Sequence, residues 1–255
     1  MESAVLLQRH GNVALLTLNL EAKRNALAPE LYQQLAEHLQ SLEDNRDCRA
    51  VVIHGGRHFC AGGELDGLDT NPQAMRANMR QGHRVIRQIV SGRLPVIAAV
   101  QGAAFGAGLS LASACDFVVA SAASQFGAVY AKVGVMADWG LLWTLPRRIG
   151  DGRCKRMVML AQVLDGRQAE AIGLVDELVE QEEEVLAGAL ELAQRLANTA
   201  PGPLAAVKTL MARAQSLDAL LDWEADSQAL LIASEDFAEG RDAFFGKRRP
   251  QFKGR

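Results

Sequence analysis

Two stretches of this 255-residue chain are richer in small residues than a strand-to-helix junction requires. The first is HFCAGGEL, His58 to Leu65, after the apolar run Ala50–His54. The second is VQGAAFGAGLSLA, Val100 to Ala112, after the run Pro95–Val100. Glycine and alanine at such turns let backbone N–H groups approach a ligand with no side chain in the way. A following helix N-terminus adds unpaired N–H donors and a partial positive charge. One donor from each turn, converging on one oxygen, would stabilise negative charge developing there, as an oxyanion hole does. Either loop alone is better explained by tight helix–strand packing, but two in one chain tilt the reading toward chemistry. Gly102, Gly106 and Gly108 have GxxxGxG spacing, not GxGxxG, and no GKS or GKT occurs, so dinucleotide and P-loop chemistry fall back. His54 and His58 straddle a strand end and Gly55-Gly56, which argues for a site-lining or surface role over a metal pair. Cys60 reads as packing.

The elements that must carry these turns follow from periodicity. Val5 to Arg9 and Val13 to Leu18 flank His10-Gly11-Asn12 and predict a β-hairpin. Pro29 suits a first helical position, and Leu31, Leu35, Leu39 and Leu42 form one helical stripe. Ala50 to His54, Pro95 to Val100 and Asp116 to Ala120 read as strands. Pro72 to Val90, Leu109 to Ala114 and Trp139 to Arg147 read as helices. Strand, glycine turn and helix alternate over the first 150 or so residues, which is α/β logic. Val185, Ala189, Leu192 and Leu196 share a helix face. Pro201-Gly202-Pro203 reads as a break before helices that run through Leu210, from Leu217 to Ile232, and beyond Ser234. The expected organisation is a core over residues 1–200 and a helical region over 201–255.

Composition narrows the function classes. The chain has 49% hydrophobic and 22% charged residues, with 27 basic and 30 acidic side chains for a net charge of −3. That balance argues against a nucleic-acid binder. No apolar run approaches the ~20 residues of a membrane span. The N-terminal MESAVLLQRHGN has an acidic second residue and too short an apolar stretch for a signal peptide. Cys48, Cys60, Cys115 and Cys154 are far apart with no CxxC pair, so reduced thiols in a cytoplasmic protein are expected. A compact monomer of this mass would expose roughly 11,000 Å².

Six collinear stretches carry a resemblance: KRNALAPEL (Lys23–Leu31), HFCAGGEL, Ala99–Ser121, Ser124–Gly150, AEAIGLVDELV (Ala169–Val179) and Ser234–Phe252. In these the chain resembles the crotonase superfamily, the enoyl-CoA hydratase/isomerase family, along nearly its whole length. In pattern it is similar to the epoxyphenylacetyl-CoA and enoyl-CoA isomerase members. The resemblance implies an α/β crotonase-like spiral of ββα units with a C-terminal α-helical trimerisation region, assembled as a homotrimer or a dimer of trimers. It implies that the N–H groups of Gly63 and Ala107 bind the thioester oxygen of an acyl-CoA and stabilise an enolate. It places CoA contacts on Lys23, Arg24 and Ala26, with the Ala61 and Leu65 backbone alongside, and on Phe244 and Lys247 of the last helix. No metal or further cofactor is implied, coenzyme A being part of the substrate. Glu64 matches an acidic position of structural use in the family.

The chain departs from the family's hydratases at the two glutamates that handle water and proton. Those positions fall on Ser110 and Tyr130, twenty residues apart here as in the family. Neither a serine nor an ordinary tyrosine serves as a general base near pH 7. Asp138, eight residues after Tyr130, matches an aspartate that is functional in several isomerase members. Its neighbours Val135, Met136, Ala137, Trp139, Leu141, Leu142 and Trp143 predict a raised carboxyl pKa, suited to moving a proton. The competing expectation is an N-cap for the helix from Trp139. The reading that follows is an enoyl-CoA double-bond isomerase with Asp138 as acid/base and Ser110 and Tyr130 as polar walls. The alternatives are hydration, thioester hydrolysis or C–C cleavage on the same enolate, or a non-catalytic acyl-CoA-binding protein. Trp139, Trp143 and Phe126 suggest an aromatic or medium-chain acyl group, or simply core.

Overall fold

The computed structural model describes residues 3–66 and 70–255, so Glu2 of the N-terminal reading lies outside the described residues. Strands β1 (Val5–His10) and β2 (Val13–Leu18) form the expected antiparallel hairpin, and helix α1 (Pro29–Asp44) follows with Pro29 in its first turn. Leu31, Leu35, Leu39 and Leu42 all face the core from α1. Strand β3 (Ala50–His54) is buried on both faces and leads to helix α2 (Pro72–Ser91). Next come β4 (Val96–Val100), β5 (Ala103–Phe105) and α3 (Ala107–Ala114). Then follow β6 (Phe117–Ser121), β7 (Gln125–Gly127), a 3₁₀ turn over Val129–Val133, and α4 (Leu141–Ile149). Helix α5 (Asp151–Met159), β8 (Val163–Asp165), α6 (Gly166–Ala171), β9 (Glu177–Val179) and α7 (Val185–Ala197) complete this part. Helices α8 (Pro201–Arg213), α9 (Leu217–Ile232) and α10 (Glu235–Phe245) end the chain.

The strands form two sheets, a six-stranded one ordered β1-β2-β3-β4-β6-β9 and a three-stranded one ordered β5-β7-β8. All pairs beyond the hairpin in the larger sheet are parallel, and its central strands β2, β3, β4 and β6 are near-continuous apolar runs because both faces are covered there, whereas the edge strand β1 is largely exposed. One face carries the main core. The other is closed by α7 through Val185, Ala189, Leu192 and Ala193. Two turns of the spiral, β4-β5-α3 and β6-β7-α4, place one strand in the large sheet and one in the small sheet before the helix. The three-residue strands β5, β7 and β8 are too short to show a period in sequence.

Two local expectations need correction. Pro201-Gly202-Pro203 is not a break but the first turn of α8, where Pro201 follows the Ala200 cap and needs no N–H partner. The helix expected from Trp139 starts at Leu141 with Gly140 as cap, because Trp139 and Gly140 both have left-handed φ values, 47° and 75°.

Candidate active site

The two glycine turns lie side by side because Cys60, after β3, pairs with Ala104 of β5 as an isolated parallel bridge. Cys60 N–H donates to the Ala103 carbonyl at 3.0 Å, and Phe105 N–H donates to the Cys60 carbonyl at 3.0 Å. Buried Cys60 is thus a stitch, its thiol pushed up to about 12 by burial and so unreactive. Beyond the stitch the chains must approach very closely. Gly62 has φ +116°, and a Cβ there would stand 3.0 Å from the Phe105 carbonyl oxygen and 3.8 Å from the Ala107 nitrogen. Gly106 sits at φ 51°, ψ −125°, backbone open essentially to glycine alone, and from there α3 begins at Ala107.

Two N–H groups result that have no acceptor among the described residues. Ala107 is the first residue of α3, whose first turn leaves its N–H groups unbonded. Gly63 N–H likewise has no acceptor among the described residues, while its neighbour Gly62 accepts from Leu27 N–H at 2.8 Å. A Cβ on Gly63 would meet nothing within 4 Å, so open space lies before it. Such a pair of donors, one reinforced by the α3 dipole, can receive an oxygen that gains negative charge.

A third loop is bound to the first turn by Asn25, which the sequence reading did not single out. This wholly buried residue has φ 54°, and its amide donates to the Gly55 and His58 carbonyls at 2.7 and 2.8 Å. Asparagine tolerates left-handed backbone and carries two donors, the one signal the sequence offered. The Arg24 carbonyl accepts from Ala61 N–H at 3.0 Å. Lys23 pairs with Glu64 at 2.5 Å, and that carboxylate raises the Lys23 pKa. Lys23, Arg24, Ala26, Ala61 and Leu65 therefore gather at one rim, mostly exposed. Phe244 and Lys247 stand exposed at the end of α10, and no hydrogen bond or ion pair among the described residues joins them to that rim.

Ser110 lies one turn after Ala107 on the same side of α3. It and Tyr130 are buried, and their hydroxyls are 2.6 Å apart. Ser110 Oγ also donates to the Asp138 carbonyl at 3.0 Å, and the Tyr130 hydroxyl interacts with the Asp138 side chain as well as with Ser110. Burial and the nearby Asp138 push the Tyr130 hydroxyl well above its ordinary pKa. The Asp138 carbonyl accepts a second time, from Leu141 N–H at 3.0 Å. Its carboxylate caps nothing: α4 has no side-chain cap, and Oδ1 is buried without a partner. The capping expectation fails here. Burial raises the Asp138 pKa, in the expected direction although Val135, Met136, Leu142 and Trp143 are themselves exposed, while the Tyr130 hydroxyl and His83 draw it back.

The aromatic residues divide by position. Phe126 is entirely in the core, and Trp139 is buried edge-on against Tyr32 with ring centres 5.7 Å apart. Trp143 is half-exposed under the Arg147 guanidinium. A groove of about 710 Å³ beside Trp143, between α4 and α8, includes none of Gly63, Ala107 or Asp138. Among the described residues no three His, Cys, Asp or Glu side chains gather as a metal site, and no helix is long and apolar enough to cross a membrane.

Known proteins resemble this chain along nearly its whole length. The family model described as enoyl-CoA hydratase/isomerase matches residues 8–255. A 1,2-epoxyphenylacetyl-CoA isomerase of Escherichia coli (strain K12) is 35% identical, covering 95% of each chain. A 2,3-dehydroadipyl-CoA hydratase of the same organism is 36% identical over 99% of this chain and 100% of its own. The crystal structure of an enoyl-CoA hydratase from Polaromonas sp. JS666 superposes with a TM-score of 0.92 at 36% identity, covering 97% of this chain and 99% of that one. Likeness of this extent, in sequence and in fold together, makes the chain an acyl-CoA enzyme of the enoyl-CoA hydratase/isomerase family, with the crotonase fold.

Proposed function

We propose that the chain is an enoyl-CoA double-bond isomerase, converting 3-enoyl-CoA to 2-enoyl-CoA. The thioester oxygen sits between the Gly63 and Ala107 N–H groups, with the CoA along the Lys23, Arg24, Ala26, Ala61 and Leu65 rim. Asp138 takes a proton from C2, the electrons move onto the thioester oxygen as a dienolate, and Asp138 returns the proton to C4. Atoms and charge balance with no redox or metal partner, coenzyme A being part of the substrate.

The observation that carries this reading is the Ser110–Tyr130 pair. Two hydroxyls bonded to each other at 2.6 Å occupy the positions of the hydratase glutamates, and burial moves the tyrosine further from ionisation. The carboxyl group beside them is that of Asp138, with an unpartnered oxygen and a raised pKa. Hydration of the same enolate is the second reading, favoured by the hydratase names among the relatives. Mass spectrometry of 3-enoyl-CoA and crotonyl-CoA incubations separates them. Mass-neutral conversion faster than gain of 18 Da is expected; rapid crotonyl-CoA hydration with no isomerisation of any 3-enoyl substrate reverses the assignment. The proposed assembly is a homotrimer or dimer of trimers, with Phe244 and Lys247 completing a CoA site in the same or a neighbouring subunit.

A further inference from the structure

We propose that Ser110 is a positioning residue: its hydroxyl ties the main chain of Asp138 to α3, the helix whose first residue, Ala107, offers the oxyanion N–H. This rests on the reading of Asp138 as the acid/base. The turn that presents Asp138 is strained. Trp139 and Gly140 have φ values of 47° and 75°, and Leu141 N–H closes back on the Asp138 carbonyl at 3.0 Å. Positive φ is costly for a tryptophan, so such a turn persists only where its surroundings hold it. Residues 131–136, which lead into it, are exposed. Packing holds one side: Trp139 lies against α2, where a Cβ on Gly82 would stand 2.6 Å from its Cζ2, and edge-on to Tyr32. Such contact seats the indole but has no direction, and leaves the Asp138 peptide free to rotate.

Ser110 supplies the direction. Its Oγ donates to the Asp138 carbonyl at 3.0 Å. Among the described residues this is the one hydrogen bond that a carbonyl of residues 136–140 accepts from outside the turn and α4. The serine is wholly buried and is fixed at its own end, its N–H donating to the Gly106 carbonyl at 3.1 Å. Gly106 is the residue from which α3 and the Ala107 N–H are aimed. A serine inside a helix often spends its hydroxyl on the carbonyl four residues back. Here that contact is the long one, 3.4 Å to Gly106, and a hydroxyl has one hydrogen to give. The shorter bond crosses to another loop, 28 positions on. One helix therefore carries the oxyanion donor at its first residue and the tie to the base one turn later. Their separation is set before substrate arrives.

The test uses the full chain with Ser110→Ala and with Ser110→Cys, which keeps nearly the size of serine but donates more weakly. Alanine is the strongest helix former, so α3 itself is not weakened. With 3-enoyl-CoA, kcat should fall by about 10- to 100-fold in Ser110→Ala, and by less in Ser110→Cys, as the base leaves its register. KM and product-CoA affinity should stay near wild type, because the Gly63 and Ala107 N–H groups are untouched. In an Asp138→Asn background Ser110→Ala should cost nothing further, since a residue that acts through Asp138 then has nothing left to position. Without turnover, the Leu141 amide, which shares the Asp138 carbonyl with Ser110, should lose about tenfold protection from hydrogen exchange in Ser110→Ala. Unchanged Leu141 protection overturns the proposal even if activity falls. So does a rate loss that is matched in product affinity or that adds to the loss in Asp138→Asn. An Asp138→Asn enzyme with wild-type rate removes the isomerase reading instead, and the Leu141 amide still decides whether Ser110 holds the turn.

Discussion

At the scale of single residues, Asp138→Asn is the decisive change. Asparagine keeps the size of the carboxylate but cannot take a proton, so kcat should fall by about 10²–10⁴. Since the raised pKa means that ionised Asp138 costs the fold stability above that pKa, the melting temperature near pH 7 should hold or rise. Asp138→Ala should also escape the ~1 kcal/mol loss of a removed cap, because no N–H of α4 bonds to this side chain. Product-CoA affinity, kcat and melting temperature measured on both variants check all three statements. The partial burial of Asp138 was expected from its apolar neighbours, but of these only Ala137, Trp139 and Leu141 are buried, while Val135, Met136, Leu142 and Trp143 are exposed. Its failure to cap was not legible, because that depends on the left-handed turn at Trp139, a bulky residue for which nothing in sequence favours positive φ. Asn25 was missed for a related reason: it bonds a segment 30 or more positions away, and no local pattern encodes such a partner.

The elements most legible in sequence were the long ones. The leucine stripe of α1 and the all-apolar β3 and β4 follow from period alone, whereas β5, β7, β8 and the Cys60 bridge are held by tertiary pairing. Those short pieces position the site, and the junction at Gly106 tests them. A methyl there has room, the nearest atoms being Gly62 Cα at 3.8 Å and Tyr130 Cε1 at 4.0 Å. Gly106→Ala should therefore cost about 1–3 kcal/mol by backbone strain alone and tilt Ala107 N–H, lowering kcat more than it raises KM. Denaturant unfolding together with kinetics reads both effects.

The attachment of α8 supplies a second test. Lys208 bonds the Asp116 carboxylate at 2.6 Å and also the Leu94 carbonyl, both groups being largely buried. Burial raises the Asp116 pKa and Lys208 draws it down. Lys208→Met should cost about 3–5 kcal/mol by stranding the carboxylate. With Asp116 raised further above its unfolded value, the folded state binds its proton more tightly, so the loss should shrink as pH falls through the folded pKa and be complete above it. Urea unfolding at several pH values shows the trend.

For the molecule as a whole, the accessible surface is 13,763 Å². That is about a quarter more than the ~11,000 Å² of a compact monomer this size. Much of what is exposed is apolar and lies on α9 and α10, including Leu230, Ile232, Phe244 and Phe245. Surface of this kind marks an association face. Light scattering at micromolar concentration should give three or six times 27.5 kDa, and a monomer would rule the assembly out.

The Cys60–Ala104 stitch has a bearing on how such a protein can change over generations. Both donors it brings together belong to the main chain, so ordinary replacement of side chains leaves this pair of N–H groups intact as long as the glycines stay. On the proposed reading, what is done with the charge falls to a few side chains around it, at positions 110, 130 and 138. Mutational risk is concentrated in the scaffold, while the reaction stays open to revision by one or two substitutions.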